Sequence, residues 1–157
     1  MSHAPAHGGR SLNRVAASAT THCLTGCAIG EVLGFVIGTA LGWGNLATIV
    51  LAIVLAFLFG YSLTMLPLLR AGLAFAAAAP LALASDTLSI AVMEIVDNTV
   101  MLLVPGALDA GLDEILFWAS LAFSLVVAGA AAFPVNRWLI ARGRGHAVVH
   151  AYHGHAH

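Results

Sequence analysis

The sequence contains no lysine and few charged residues of any kind. Of its 157 residues, six are arginine and seven are acidic, so 8% of the chain is charged and 61% is hydrophobic, with a mean hydropathy of +0.96. A soluble globular domain carries about 25% charged residues. The composition therefore excludes a soluble domain, and the lack of a large basic patch argues against a nucleic-acid partner. It indicates an integral membrane protein that contacts the lipid bilayer.

Four stretches are long and apolar enough to cross a bilayer, which takes about 20 mostly apolar residues per span. They cover residues 17–41, 46–69, 81–104 and 114–139. Because the connections are short, neighbouring spans should run antiparallel. We predict an all-α, four-transmembrane-helix bundle over 17–140, with a histidine-containing N-terminal segment at 1–16 and a histidine-rich tail at 141–157. If the protein moves an ion across the membrane, four short helices leave little room for the path within one subunit. We therefore expect a homo-oligomer.

All the arginines fall on one side of the predicted membrane. Arg10 and Arg14 precede the first span, Arg70 follows the second, and the others lie at the end of the fourth. The opposite connections contain no basic residue. Because arginine and lysine accumulate in cytoplasmic loops, we predict that both termini are cytoplasmic.

The first span carries thiol, imidazole and carboxyl groups in an apolar segment. Cys23, Cys27 and Glu31 recur every four residues, and His22 adjoins them. Glycines at 26, 30, 34, 38 and 42 use the same interval. Each step of four residues moves the side chain by only about 40° around the helix axis, so the two rows run side by side. Helix packing alone can explain the glycines and cysteines. It does not explain Glu31, because an ionisable group at mid-depth is costly and is by default a functional hypothesis.

The third span has a matching polar face. Three carboxylates and two thioethers fall within an arc of about 100° on a helical wheel. These residues are Asp86, Met93, Glu94, Asp97 and Met101. The interiors of spans two and four contain no charged residue, so we expect them to form a wall that faces lipid or another subunit.

Depth in the membrane predicts which groups could meet. Spans one and three run in the same direction, and Glu31 and Glu94 both lie about 13–14 residues from their cytoplasmic ends. We therefore expect these two carboxylates to be level. The same count places Cys27 near Ile90 and Cys23 near Asp86.

Buried carboxylates without a basic partner need another cation. Two close carboxyl groups can share a proton, and a metal ion is the other candidate. Soft sulfur favours Cu(I), whereas Zn(II) accepts thiolate, imidazole and carboxylate. We therefore predict an intramembrane transition-metal site, with copper first and zinc second. Its predicted ligands are His22, Cys23, Cys27, Glu31, Met93, Glu94, Asp97 and Met101.

The leading hypothesis for function is binding and transport of this metal ion. The tail GHAVVHAYHGHAH at 145–157 agrees with it, because short histidine-rich tracts bind metal, although such a tail can also act as a buffer. One alternative is a proton channel or proton-coupled transporter that uses Glu31, Glu94 and Asp97 as relays. Another is a membrane metalloenzyme or metal-insertion factor. Catalysis is the less favoured hypothesis, because no nucleotide loop or nucleophile triad is evident.

Three strings carry a family resemblance: HCLTGCAIGEVLG at 22–34, SIAVMEIVDNTVMLLVPGALDAGL at 89–112 and FPVNRWLIARGRGHAVVH at 133–150. They resemble a small bacterial four-span membrane family catalogued as a domain of unknown function. The resemblance covers most of residues 20–150 and implies the inner (plasma) membrane of a bacterium. It implies no substrate, cofactor or reaction.

Overall fold

In a computed structural model, residues 7–142 form four long helices with short connections. Helix α1 covers His7–Ala40, α2 covers Asn45–Arg70, α3 covers Phe75–Leu103 and α4 covers Ile115–Ala141. All four are long and apolar enough to span a membrane, and no strand occurs between residues 7 and 142. The predicted all-α, four-span architecture is confirmed, and the chain is a multi-pass membrane protein.

The helix boundaries differ from the predicted spans most clearly at α3. This helix begins at Phe75 and not at residue 81, so Pro80 lies inside it. The alanines at 76–79 are strong helix formers, and a proline this close to a helix start removes only one hydrogen bond near the end of the ladder. Helix α1 also begins earlier than predicted, at His7. The tail at 145–157 and His3 lie outside the described residues.

Two of the three connections use a glycine to end the preceding helix. Gly42 and Gly72 have φ angles of 66° and 91°, in the left-handed region that glycine adopts without a Cβ penalty. In each case the next residue donates its N–H to a carbonyl five positions earlier: Trp43 to Gly38 at 2.9 Å and Leu73 to Leu68 at 3.1 Å. These are Schellman-type ends, and they reverse the chain within four residues.

Helices α1 and α3 form the central pair of the bundle, because each of them contacts all three other helices, whereas α2 and α4 do not contact each other within residues 7–142. Helices α1 and α3 are parallel, and both are antiparallel to α2 and α4. One end of the bundle, the arginine end, therefore contains Arg14, Arg70, Arg137 and Arg142. The other, the acidic end, contains Asp109, Asp113 and Glu114.

The glycine ridge of α1 packs against α2. Its glycines at 26, 30, 34 and 38 lie against a row of small residues on α2 with the same four-residue interval. That row is Gly60, Ala56, Ala52 and Thr48. A Cβ atom at Gly34 would lie 2.8 Å from the Cβ of Ala52, so only glycine permits this approach. Because the ridge faces α2, the adjacent row of Cys23, Cys27 and Glu31 faces α3.

Candidate functional site

Three buried carboxyl groups meet between α1 and α3 at mid-span. Glu31 is 1% exposed, Asp97 2% and Glu94 4%, and we call them the carboxyl cluster. The carboxyl groups of Glu31 and Asp97 lie within hydrogen-bonding reach of each other, and Glu94 is close enough to interact electrostatically with both. Glu94, which the depth count predicts to be level with Glu31, lies in this cluster, and Asp97, almost one turn further along α3, is the hydrogen-bonding neighbour of Glu31.

Few donors serve this cluster. Glu31 Oε1 and Oε2, Glu94 Oε1 and Asp97 Oδ1 receive no hydrogen bond from a fixed donor within the described part of the chain. Two carboxyl groups can hydrogen-bond to each other only when one of them is protonated, because an ionised carboxylate has no donor. A proton shared between Glu31 and Asp97 would therefore satisfy this contact.

The remaining neighbours of the cluster are weak or shared donors. Asn98 Nδ2 lies 3.5 Å from Glu94 Oε2 and donates a shorter bond, of 2.9 Å, to the Glu94 carbonyl. Ser124 on α4 is the other hydrogen-bonding neighbour of Asp97. Its hydroxyl also donates to the Leu121 carbonyl at 2.8 Å, and a hydroxyl has only one proton to donate.

A sulfur pair lies next to the cluster on the side of the arginine end. Cys27 Sγ and Met93 Sδ are 4.0 Å apart, and each residue is 1% exposed. The thiol of Cys27 is also a hydrogen-bonding neighbour of Glu94. Cys27 packs in the same core group as Ile90, which agrees with its predicted depth.

A second polar group lies nearer the arginine end. Cys23 Sγ is 4.0 Å from Asp86 Oδ1, as the depth count predicted. Ser85 Oγ donates to the same oxygen at 3.0 Å, and Thr64 of α2 is a further hydrogen-bonding neighbour of Asp86. His22 Nε2 is 3.0 Å from Thr64 Oγ1. His22 therefore lies between α1 and α2, away from the carboxyl cluster.

Met101 belongs neither to the carboxyl cluster and its sulfur pair nor to the polar group around Asp86. It packs with Phe35, Phe117 and Leu121 in an apolar layer towards the acidic end. The predicted ligands are thus distributed over three levels of the bundle. Within the residues whose side chains are described, no group of three or more His, Cys, Asp and Glu is arranged to hold a metal ion.

Sequence reasoning missed Thr64 and Ser124, because α2 and α4 were expected to be a wall without functional groups. Both residues are buried, at 2% and 0% exposed. A signal for Thr64 was present: α2 buries Thr48, Ala52, Ala56, Gly60 and Thr64 at a strict interval of four. That row of small residues matches the glycine row of α1 and identifies the inward face of α2.

Comparison with known proteins gives one match. The family described as a domain of unknown function, DUF4396, matches residues 12–145, which include all four spans. No curated protein and no solved structure matches the chain. Since the matched region covers most of the chain and contains both polar groups, the protein belongs to the DUF4396 family of domains of unknown function.

Proposed function

We propose that this protein binds and transfers protons inside the membrane, as a proton channel or proton-coupled transporter, with Glu31 and Asp97 as its central proton carriers. The observation that carries this proposal is the burial of three carboxyl groups at mid-span, at 1% to 4% exposed, with four of their oxygens lacking a hydrogen-bond partner within residues 12–142; Glu31 and Asp97 are hydrogen-bonding neighbours within this cluster. A buried charge must be neutralised by an opposite charge, a metal or a proton. Every arginine lies outside the mid-span region, and the chain has no lysine. A proton is the smallest cation that fits the contact.

The surroundings of the cluster are asymmetric. Towards the acidic end, Phe35, Met101 and Phe117 pack closely, with the two phenyl centroids 5.1 Å apart. Towards the arginine end, polar side chains continue from Cys27 to Asp86. Proton access in this conformation is therefore from the arginine end. By the positive-inside rule we propose that this end, with both termini, faces the cytoplasm of a bacterial cell, and that a homo-oligomer or a conformational change completes the path.

The proposal predicts that Glu31→Gln abolishes proton movement. Glutamine keeps the shape and hydrogen-bonding groups of the side chain but cannot release a proton. In liposomes with an imposed membrane potential and an internal pH-sensitive dye, we expect proton flux to fall by about 100-fold or more, a typical effect of losing an acid–base group. The infrared C=O band of the protonated carboxyl pair should also disappear.

The matched control for this experiment is Asp113→Asn. Asp113 is exposed at the acidic end, so flux and the infrared band should match those of the unmodified protein. Wild-type protein that shows neither potential-driven flux nor a protonated-carboxyl band would refute the proposal. A Glu31→Gln variant with undiminished flux would refute the assignment of the carrier.

Transition-metal binding is a second candidate function, favoured by the sulfur pair. Two ligands bonded to one metal ion at about 2.3 Å, with an angle near 120°, are about 4.0 Å apart, and Cys27 Sγ and Met93 Sδ are separated by 4.0 Å. Glu94 beside Cys27 could supply a third donor. Sulfur donors favour Cu(I), and Zn(II) is the next candidate. Whether the ion is transported across the membrane, inserted into another protein or used in redox chemistry depends on where this protein delivers it.

This candidate predicts that purified protein, loaded with Cu(I) and dialysed, retains about one ion per chain in addition to any copper held by the histidine-rich tail. Cys27→Ala should lose that one ion, because the remaining thioether is a weak ligand. Met65→Leu is the control, since Met65 lies in a separate apolar cluster around Leu68 and Ala78. Metal content by mass spectrometry distinguishes the outcomes. No retained copper or zinc in the unmodified protein, or equal retention by Cys27→Ala, would exclude the site.

A further inference from the structure

A polar groove opens on the outside of the bundle where α1 and α2 meet near the arginine end. It has a volume of about 440 Å³ and is lined by Ser18, Thr21, His22, Thr25 and Leu63. Four of these five side chains are polar, although they lie within a membrane span. We call this feature the entrance groove. Polar side chains on an otherwise apolar helix surface give water a way in from the interface.

His22 connects the entrance groove to the interior through one side chain. Its Nε2 is 3.0 Å from the hydroxyl of Thr64, which is 2% exposed. Thr64 in turn is a hydrogen-bonding neighbour of Asp86, which is fully buried. A hydroxyl can accept one hydrogen bond while it donates another. His22, Thr64 and Asp86 can therefore form a continuous hydrogen-bonded chain from the surface to a buried carboxyl group.

The contacts of Thr64 differ from those of other threonines in the spans. The hydroxyls of Thr20, Thr21, Thr25, Thr87 and Thr99 each donate to the backbone carbonyl four residues earlier. This is the usual way in which a helix satisfies a threonine. Thr64 instead contacts two titratable side chains, one on α1 and one on α3, so it links three helices.

The polar row continues from Asp86 towards the carboxyl cluster through Ser89. This residue is 0% exposed, and its Oγ has no conventional hydrogen-bond partner within residues 12–142. The Cys23 thiol is near enough for a weak one. A buried hydroxyl without a strong partner is uncommon. Ser89 lies one turn from Asp86 on α3, and the thiol of Cys23 is close to both. The next polar group towards Glu94 is the thiol of Cys27 on α1, which neighbours both Cys23 and Glu94.

We propose that the His22–Thr64–Asp86 chain is the proton entrance to the carboxyl cluster, an inference that rests on the proposed proton function. A proton from water in the groove binds His22 Nδ1. The proton on Nε2 passes to Thr64 Oγ1 as the proton of that hydroxyl passes to the Asp86 carboxylate. His22 is then neutral in its other tautomer, Thr64 is again a hydroxyl, and Asp86 carries the added proton.

The test separates the rate of proton uptake from its extent. A flash-released proton pulse is applied to the full-length protein in detergent, and the carboxyl C=O band is followed by time-resolved infrared absorption. The final amplitude of the band measures how many protons the carboxyl cluster takes up, and the part of the amplitude that Glu31→Gln removes belongs to this cluster. The rise time of the band measures how fast protons enter. We expect Thr64→Val to slow the rise by about tenfold, the rate equivalent of one lost hydrogen bond, at unchanged final amplitude.

Thr48→Val is the matched control, because Thr48 is buried in the same row of α2 at the opposite end. Its rise time should equal that of the unmodified protein. Thr64→Ser, which restores the hydroxyl, should recover the fast rise. Asp86→Asn, which cannot take the proton, should be as slow as Thr64→Val and serves as the second variant if valine prevents folding. Tryptophan-fluorescence melting verifies that each variant is folded.

Two results would overturn the proposal in different ways. A rise time for Thr64→Val equal to that of Thr48→Val, with the Glu31-dependent amplitude intact, would refute the entrance and leave the carboxyl cluster as a proton site. An unmodified protein whose carboxyl band does not respond to the proton pulse would refute the proton function, and the entrance with it.

Discussion

Gly30→Ala is expected to be among the most destabilising single-methyl additions in this protein. A Cβ atom at this position would collide with the backbone of Leu55 and Ala56, and backbone cannot move aside as a flexible side chain can. Overpacking in a close-packed interior typically costs about 1–3 kcal/mol. Inside a bilayer, helix association depends on close packing because lipid is as apolar as the helix surface. We therefore expect α1 and α2 to separate.

The measurement is the thermal midpoint of tryptophan fluorescence in detergent, compared across three glycines. Gly44→Ala is the low-cost control: a Cβ there meets nothing within 4 Å, and the change loses only the N-cap preference for glycine over alanine at the start of α2. Gly129→Ala is intermediate: its Cβ would lie 3.3 Å from a terminal methyl of Leu24, which can shift, and alanine gains up to about 1 kcal/mol in helix propensity. We predict that the thermal midpoint of Gly30→Ala lies far below the midpoints of Gly129→Ala and Gly44→Ala. Equal midpoints for Gly30→Ala and Gly44→Ala would mean that α1 and α2 do not pack as described.

Glu31→Leu should destabilise the fold far more than Glu31→Gln. Leucine leaves Asp97 without its carboxyl partner, in a place where Ser124 is its other hydrogen-bonding neighbour. An unsatisfied buried polar group costs about 1–3 kcal/mol. Glutamine keeps a hydrogen-bonding partner for Asp97 and should cost less than about 1 kcal/mol, the net contribution of one hydrogen bond. Fluorescence melting and denaturant titration both measure the difference.

A second substitution tests the cause of that loss. Glu31→Leu combined with Asp97→Ala preserves the combined side-chain volume and removes both carboxyl groups. When both polar partners are replaced, no unpaired group remains, so the double variant should regain part of the stability that the single variant loses. Asp97→Ala alone completes the double-mutant cycle, which gives the coupling energy between the two positions. Equal losses for Glu31→Gln and Glu31→Leu would show that hydrogen bonding to Asp97 is not what Glu31 contributes to stability.

The depth argument agrees with the heights of the polar groups in the bundle. It predicted the meeting of Cys23 and Asp86, which lie 4.0 Å apart, and it put Glu31 level with the carboxyl groups at the centre of α3. At that level, Asp97 is the hydrogen-bonding neighbour of Glu31, and Glu94 interacts with it electrostatically. Counting residues at about 1.5 Å each gives the height of a group in the membrane, but it does not say which of two carboxyl groups on one helix makes the hydrogen bond.

Some features of the site could not be predicted from single residues. Thr64 and Ser124 are ordinary helix residues in the sequence, and only packing puts them beside Asp86 and Asp97. His22 adjoins the cysteine row in the sequence, but a step of one residue turns it by about 100°, and its ring contacts Thr64 of α2. Spacing along one helix is informative about its faces, whereas the neighbour at each face depends on the other three helices.

The sequence by itself determined the class, the number of spans and the polar residues that need an explanation. Those properties follow from length, hydropathy and the cost of burying a charge, which are local to each segment. Only the tertiary structure decided that the glycine row packs on α2 and thereby turns Cys23, Cys27 and Glu31 towards α3. It also separated the predicted ligands into a central carboxyl cluster, a sulfur pair, a polar group around Asp86 and an apolar layer that contains Met101, because partner choice depends on how whole helix surfaces fit and not on any one residue.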